Sequence, residues 1–238
     1  MKRLLIKISG EFFTGKDCNG QDTLSDQLQK RMKSFVRQLK ELQKTYHIGI
    51  VIGGGNIVRG KEVEKTLGVR DHVGHQMGML ATVINALCLE DLIEQHGGKA
   101  VICSAIEIPH AVDVVRYDRI ENAFDKGSVV IFAGGTGQPF LSTDTAAVLY
   151  ALRMKAEVLW KCTKVDGVYD ADPFQNKSAK RHDVLSYQQV LDKKLHIMDL
   201  TAITLAEQHA LPIRVMNMYH ENTLLKALKD NTWGSWIQ

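Results

Sequence analysis

Val129-Val130-Ile131-Phe132-Ala133-Gly134-Gly135-Thr136-Gly137-Gln138-Pro139-Phe140-Leu141-Ser142-Thr143-Asp144-Thr145 is the stretch on which the fold turns. An apolar run, Val129 to Phe132, delivers the backbone to a glycine-rich loop. The loop opens into an apolar-periodic segment, Ala146 to Leu152, which Thr143 is placed to cap. Glycines let backbone N–H groups approach an anion closely, and a helix N-terminus adds partial positive charge. Ser142, Thr143 and Thr145 add hydroxyl donors. Asp144 is the odd member, because a carboxylate beside phosphates needs a metal ion or a lysine between them. The stretch therefore points to phosphate binding with phosphate chemistry. An ordinary strand–turn–helix junction capped by Thr143 fits it equally well.

Outward from that stretch the pattern alternates. Leu4 to Ile8, Ile48 to Ile52, Ala100 to Cys103, Val129 to Phe132 and Val158 to Trp160 read as short buried strands. Leu28, Met32, Phe35, Val36, Leu39 and Leu42 recur at helical spacing between the first two. Met77 to Glu94 reads as a long helix with Leu80, Val83, Ile84 and Leu87 on one face. Strands that are apolar throughout and separated by helices predict a mainly parallel sheet covered on both faces. The fold class is α/β. Past Lys161, Lys164-Val165-Asp166-Gly167-Val168-Tyr169 reads as a hairpin with an Asp-Gly turn. A polar stretch runs on to Asp183, followed by two helices, a strand at Ile213 to Met216 and a last helix at Leu224 to Lys229. One domain with two lobes is the simplest organisation.

Composition excludes several classes. The 238 residues suffice for one substantial core, and 45% apolar with 24% charged is ordinary for a globular chain. Thirty basic and 27 acidic residues leave a net charge of +3, too small for a nucleic-acid footprint. Cys18, Cys88, Cys103 and Cys162 are scattered, with no Cys-x-x-Cys, as expected of reduced thiols in a cytosolic protein. The apolar part of Met1 to Ile6 is too short for a signal peptide, and no apolar run approaches bilayer length. Asn176-Lys177-Ser178 is then a coincidental glycosylation match. His72 and His75 are three apart, as metal ligands on a helix can be, but lack a third ligand.

Four other places offer chemistry. Lys7-Ile8-Ser9-Gly10-Glu11 puts a lysine at the carboxyl end of a buried strand, where open α/β folds bind ligands; Lys7 can neutralise phosphate there or merely solvate the strand end. Gly53-Gly54-Gly55-Asn56-Ile57-Val58-Arg59-Gly60 follows a strand with three glycines, whose entropic cost implies a close approach by a ligand or a tight turn. Arg59 adds a planar fork suited to phosphate oxygens. Neither Gly-x-Gly-x-x-Gly nor a P-loop is present. Trp160 to Pro173 puts Lys161 at another strand end, with Tyr169 placed to flank a base and Asp172 to accept from a ribose or a base amine; the same residues can simply face water. Asp199, in Met198-Asp199-Leu200-Thr201-Ala202, is by default a helix cap.

Taken together these motifs resemble the bacterial uridylate kinases of the amino acid kinase superfamily. Met77-Gly78-Met79-Leu80-Ala81-Thr82 and Gly135-Thr136-Gly137-Gln138-Pro139-Phe140 are the most specific of them, and Leu211-Pro212-Ile213-Arg214-Val215 adds another. The resemblance runs from Lys7 to about Gly234. It implies a three-layer α/β/α sandwich, γ-phosphoryl transfer from ATP to UMP in pyrimidine nucleotide synthesis, Mg²⁺ with the ATP, a cytoplasmic homohexamer, and UTP as an inhibitor. Residues 1–155 would form the nucleoside-monophosphate lobe and 156–238 the ATP lobe. By the same likeness Lys7, Ile8, Ser9, Gly10, Gly55 and Arg59 would contact ATP phosphates, and Thr163, Tyr169 and Asp172 the adenosine. Gly54 and His75, with Thr136, Gly137, Gln138, Pro139, Phe140, Leu141, Ser142 and Thr143, would hold UMP. Lys7 and Lys161 would flank the migrating phosphoryl group together with Arg59, Asp199 would hold the lysines in place, and Asp144 would serve the metal or its waters.

Three departures from the family pattern stand out. His75 occupies the place of an Asp that contacts the UMP ribose, which predicts weaker or pH-dependent UMP binding, since histidine is not acceptor-only and gains charge at mildly acid pH. Gln138 replaces an Asn. Gly15-Lys16-Asp17-Cys18-Asn19-Gly20 replaces a Gly-Phe-Gly-like segment, which counts against GTP activation. Two rival readings remain: a kinase of acetylglutamate, aspartate or carbamate, and a non-catalytic nucleotide- or oxyanion-binding protein on the same fold.

Overall fold

A computed structural model describes residues 1–14, 25–195 and 197–238. The sheet strands are β1 (Lys2–Ile8), β2 (Tyr46–Ile52), β3 (Ala100–Ser104), β4 (Asp113–Val114), β5 (Val129–Ala133), β6 (Val158–Thr163), β9 (Val184–Leu185), β10 (Ile213–Asn217) and β11 (Ser235–Ile237). They form one sheet in the order β4-β3-β5-β2-β1-β6-β10-β11-β9. Every pairing is parallel except β10 with β11. β7 (Val168–Tyr169) and β8 (Arg181–His182) make a separate antiparallel pair. The expected hairpin around Asp166-Gly167 is therefore replaced: β7 pairs with a segment beyond the polar stretch, and Val168 N donates to Ser235 Oγ at 2.9 Å.

The helices are α1 (Ser25–Leu42), α2 (Gly60–Leu67), α3 (Asp71–Gln95), α4 (Tyr117–Asp125), α5 (Thr143–Arg153), α6 (Tyr187–Asp192), α7 (Leu200–Gln208) and α8 (Thr223–Lys229). A 3-10 turn, Gly10–Phe13, follows β1. Alternation along the strands sorts the helices into two layers. Leu4, Ile6 and Ile8 pack with Phe35, Leu39, Leu89 and Leu224, from α1, α3 and α8. Leu5 points the other way, into a core with Val148, Ala151, Ile203 and Val190, from α5, α7 and α6. This is the predicted three-layer α/β/α arrangement. Successive strand side chains face opposite sides, so Lys7 shares the face of Leu5. In β6, Trp160 and Cys162 join the first core and Leu159 the second. Lys161 therefore faces the α5–α7 layer as well.

α3 corrects the sequence reading. It starts at Asp71 rather than Met77, and Leu80, Ile84 and Leu87 are exposed at 47%, 55% and 40%. The buried face carries Ala81, Thr82, Val83, Asn85, Ala86, Leu89 and Ile93. A helix apolar on most of its circumference offers no periodicity by which to choose its inner face. α3 is also the one helix among the described residues long and apolar enough to cross a membrane. Here it lies along the sheet.

Candidate active site

β1 and β6 are neighbours in parallel register, and Lys7 pairs with Lys161 across them. Both side chains converge on Asp144, in the first turn of α5. Lys7 Nζ lies 2.7 Å from Asp144 Oδ1, and Lys161 Nζ lies 2.5 Å from Oδ2. The side chains of Lys7, Asp144 and Lys161 are only 11%, 15% and 7% exposed. Burial opposes ionisation of Asp144, yet the two ammonium charges hold its carboxyl far below the usual carboxylate range. Burial and the Lys7 charge push Lys161 down to about 8, with Asp144 opposing them. The cluster keeps a net positive charge beside a water-accessible cleft, an arrangement suited to neutralising a migrating phosphoryl group.

The α5 N-terminus is held from two sides. Ser142, not Thr143, is its N-cap, accepting from Asp144 N at 2.9 Å and Thr145 N at 3.3 Å. The two hydroxyl residues are adjacent, and only the backbone path settles which one caps. Asp199 caps α7 by accepting from Ala202 N at 2.9 Å. Its Oδ1 also accepts from Thr145 Oγ1 at 2.9 Å, and its Oδ2 from Ser142 Oγ. Asp199 ties the two helix N-termini together and its charge favours the Lys161 ammonium from a distance, while Asp144 makes the direct contacts with both lysines. In this structure a lysine faces each Asp144 oxygen, and no group of three His, Cys, Asp or Glu among the described residues forms a protein-only metal cage.

A cleft of about 720 Å³ opens on the β6 side of this cluster, lined by Lys7, Ser9, Lys161, Thr163, Tyr169 and Asp172 among others. The expected ATP residues split there. Ile8 is fully buried in the core and Gly10 is packed under the loops, so neither presents a side chain. Asp172 accepts from Phe174 N at 2.9 Å, and Thr163 Oγ1 closes a turn onto Val165 at 3.0 Å. A smaller cavity of about 230 Å³ opens on the other side, lined by Gly54, Gly55, His75, Met79, Leu141 and Thr143 among others. His75 meets the edge of Phe140 at 4.9 Å between ring centroids. Thr136, Gly137, Gln138 and Pro139 lie on the loop beside this cavity rather than in its lining.

The triple glycine answers to packing as well as to ligand. A Cβ on Gly54 would sit 2.7 Å from Gly78 O and 2.9 Å from Ala81 Cβ on α3. Asn85 and Asn56, which the sequence reading did not single out as site residues, hold this loop in place. Asn85 Nδ2 donates to Gly53 O and to Asn56 Oδ1, both at 2.7 Å, and Asn56 Nδ2 donates back to Asn85 Oδ1 at 3.1 Å. Thr82 Oγ1 accepts from Gly134 N at 2.7 Å, joining α3 to the glycine-rich loop after β5. Thr82 closes the Met-Gly-Met-Leu-Ala-Thr segment of α3 and Asn85 follows three residues later, both on its buried face. That spacing was the available signal.

Comparison with known proteins identifies the family to which this fold belongs. The amino acid kinase family matches residues 2–217. A uridylate kinase of Fervidobacterium nodosum is 42% identical over 99% of this chain and 97% of its own length. One from Shewanella denitrificans is 42% identical over 100% of this chain and 95% of its own. Among solved structures, the UMP kinase from Ureaplasma parvum superposes with a TM-score of 0.89 at 30% identity, covering 100% of this chain and 98% of that one. The UMP kinase from Bacillus anthracis gives 0.89 at 31%, covering 100% and 96%. The chain belongs to the amino acid kinase family. Within that family it groups with the uridylate kinases.

Proposed function

We propose that this protein is a UMP kinase that transfers the γ-phosphoryl group of ATP to UMP, giving UDP and ADP. One observation carries the reading: the Lys7–Asp144–Lys161 cluster connects the linings of the two cavities. Lys7 and Lys161 line the larger cavity, and Thr143, beside Asp144, lines the smaller. An acceptor phosphate is already an anion, so transfer needs alignment and charge neutralisation rather than a general base. ATP lies in the larger cavity with its γ-phosphate against the lysines and the 3-10 turn after β1. UMP lies in the smaller one, between the glycine loops and His75. Mg²⁺ would enter with ATP as part of the substrate, with Asp144 as the carboxylate proposed to serve it or its waters.

The remaining assignments belong to the same reading. Residues 1–155 carry the acceptor side and 156–238 the donor side. That boundary falls between α5 and β6, inside one continuous sheet. We place the enzyme in the cytoplasm, in pyrimidine nucleotide synthesis, as a homohexamer. The exposed Leu80, Ile84 and Leu87 of α3, at i, i+4 and i+7, offer an apolar stripe for contact between copies. UTP is proposed as an inhibitor that competes at the UMP cavity. The segment 15–20, which counted against GTP activation, lies outside the described residues.

The decisive experiment is ADP release from Mg-ATP with UMP, run alongside CMP, dCMP, acetylglutamate, aspartate and carbamate. UMP-selective turnover is the expected result. Turnover with another acceptor instead would overturn the substrate, and ATP binding without turnover on any of them would overturn the enzyme.

A further inference from the structure

Glu11 stands at the mouth of the larger cleft with a cation on each carboxylate oxygen. Its Oε1 pairs with the Arg59 guanidinium, and its Oε2 lies 2.6 Å from Lys164 Nζ. The three residues come from three places: the turn after β1, the glycine loop after β2, and the loop after β6. Glu11 is 23% exposed, whereas Arg59 and Lys164 are 52% and 35% exposed. Burial works against its charge, but Lys164 and Arg59 outweigh it and hold the carboxyl below its ordinary range. Two bridged cation pairs therefore run along the cleft, Lys7–Asp144–Lys161 inside and Arg59–Glu11–Lys164 outside.

The two bridges differ in what supports them. Both inner lysines grow from sheet strands and are nearly buried. Arg59 and Lys164 lie on loops, and long side chains there have much rotamer freedom to lose. Arg59 also donates to Gly55 O at 3.2 Å and lies 3.7 Å from Glu62 Oε1, so what Glu11 adds is to hold Lys164 and to offset the repulsion between the two cations. Glu11 offers a guanidinium and an ammonium two oxygens of one anionic group, as a phosphate would.

We propose that Glu11 is a positioning residue that holds Arg59 and Lys164 in place of nucleotide phosphate and yields both to ATP on binding. This rests on the kinase reading above. The exchange is of one anion for another, so no cation is stranded on either side of it. Glu11 then opposes ATP in the ground state but keeps its two cations at a spacing that serves transfer. Removing its charge while keeping its shape should tighten ATP binding and slow turnover, a split that loss of a merely structural contact does not produce.

The test uses the full-length protein with Glu11→Gln and Glu11→Asp, each checked by melting temperature. Mg-ATP and inorganic tripolyphosphate are titrated calorimetrically, and kcat and KM are then measured with UMP. Glu11→Gln should bind Mg-ATP about threefold to tenfold more tightly and turn over about tenfold more slowly. Unchanged or weaker ATP binding, or unchanged turnover, overturns the proposal. If Glu11→Gln does not fold, Glu11→Asp decides: charge kept with shorter reach should leave ATP affinity within about twofold while kcat falls, and an unchanged kcat overturns the idea. The binding arm needs no chemistry. A wild-type protein that binds Mg-ATP but transfers nothing to UMP would defeat the kinase reading, and the affinity comparison would still judge Glu11.

Discussion

Lys7 and Lys161 stand opposite each other in register on adjacent parallel strands, and both reach the same carboxylate, Asp144. Two like charges so close and so buried repel strongly, and the shared aspartate compensates. The result is a preorganised cationic floor that needs no rearrangement when a phosphoryl group arrives.

Lys7→Ala should lower kcat by about 10²–10³-fold, as loss of one preorganised charge-stabilising group does. The protein should stay folded, because Asp144 keeps Lys161 as a partner. Turnover near the wild-type rate, with unchanged near-ultraviolet circular dichroism, would remove Lys7 from the mechanism.

The pH profile should show Lys161. Its ammonium is held down to about 8, first by burial and then by Lys7. As pH rises through about 8 the free enzyme loses this cation, so kcat/KM for ATP should fall on the alkaline side. Stability runs the other way: the folded state disfavours the charged amine, so this group adds stability as pH rises from about 8 toward the ordinary lysine value of 10.5. A flat kcat/KM up to pH 9.5 would refute the assignment.

His75→Asp should lower KM for UMP severalfold and leave KM for ATP unchanged. An acceptor-only carboxylate suits ribose hydroxyls better than an imidazole, and His75 lines only the smaller cavity. A rise in KM for ATP with no change for UMP would place His75 outside the acceptor site.

Arg214 should matter for stability and not for chemistry. It is 1% exposed and lies over the rings of Trp236 and Trp160, at 4.9 and 5.8 Å from the centroids. Its Nε donates to Trp233 O at 2.7 Å, its Nη1 to Ala227 O at 2.6 Å, and its Nη2 to Asp230 O. Arg214→Met would strand these carbonyls at the end of α8, at a cost of about 3 kcal/mol. Thermal unfolding should drop by roughly 6–12 °C, with KM values unchanged in the protein that remains folded.

Much of the layout was legible because fully buried parallel strands read as apolar runs. Leu4 to Ile8, Ile48 to Ile52 and Val129 to Phe132 each lie inside or match an observed strand. Elements too short to show a period were not legible: β4, β8 and β9 have two residues each and β11 has three. α2 went unread behind the triple glycine. Its N-cap position holds Arg59, whose side chain makes no capping hydrogen bond.

The sequence by itself determined the sheet class and the family, and it marked Lys7, Lys161, Asp144 and Asp199 as candidates that the fold then brought together. Those follow from local pattern: burial makes strands apolar, and a lysine at a strand's carboxyl end is visible as such. Tertiary structure alone decided what each carboxylate does. Asp144 meets Lys7 and Lys161, Asp199 meets Ser142 and Thr145, and Glu11 meets Arg59 and Lys164. These partners are between 17 and 153 residues apart in the chain, as with Asp144 to Lys161 or Glu11 to Lys164. A side chain's charge is written in the sequence, but its partner is set by which strands and helix ends the sheet order brings together.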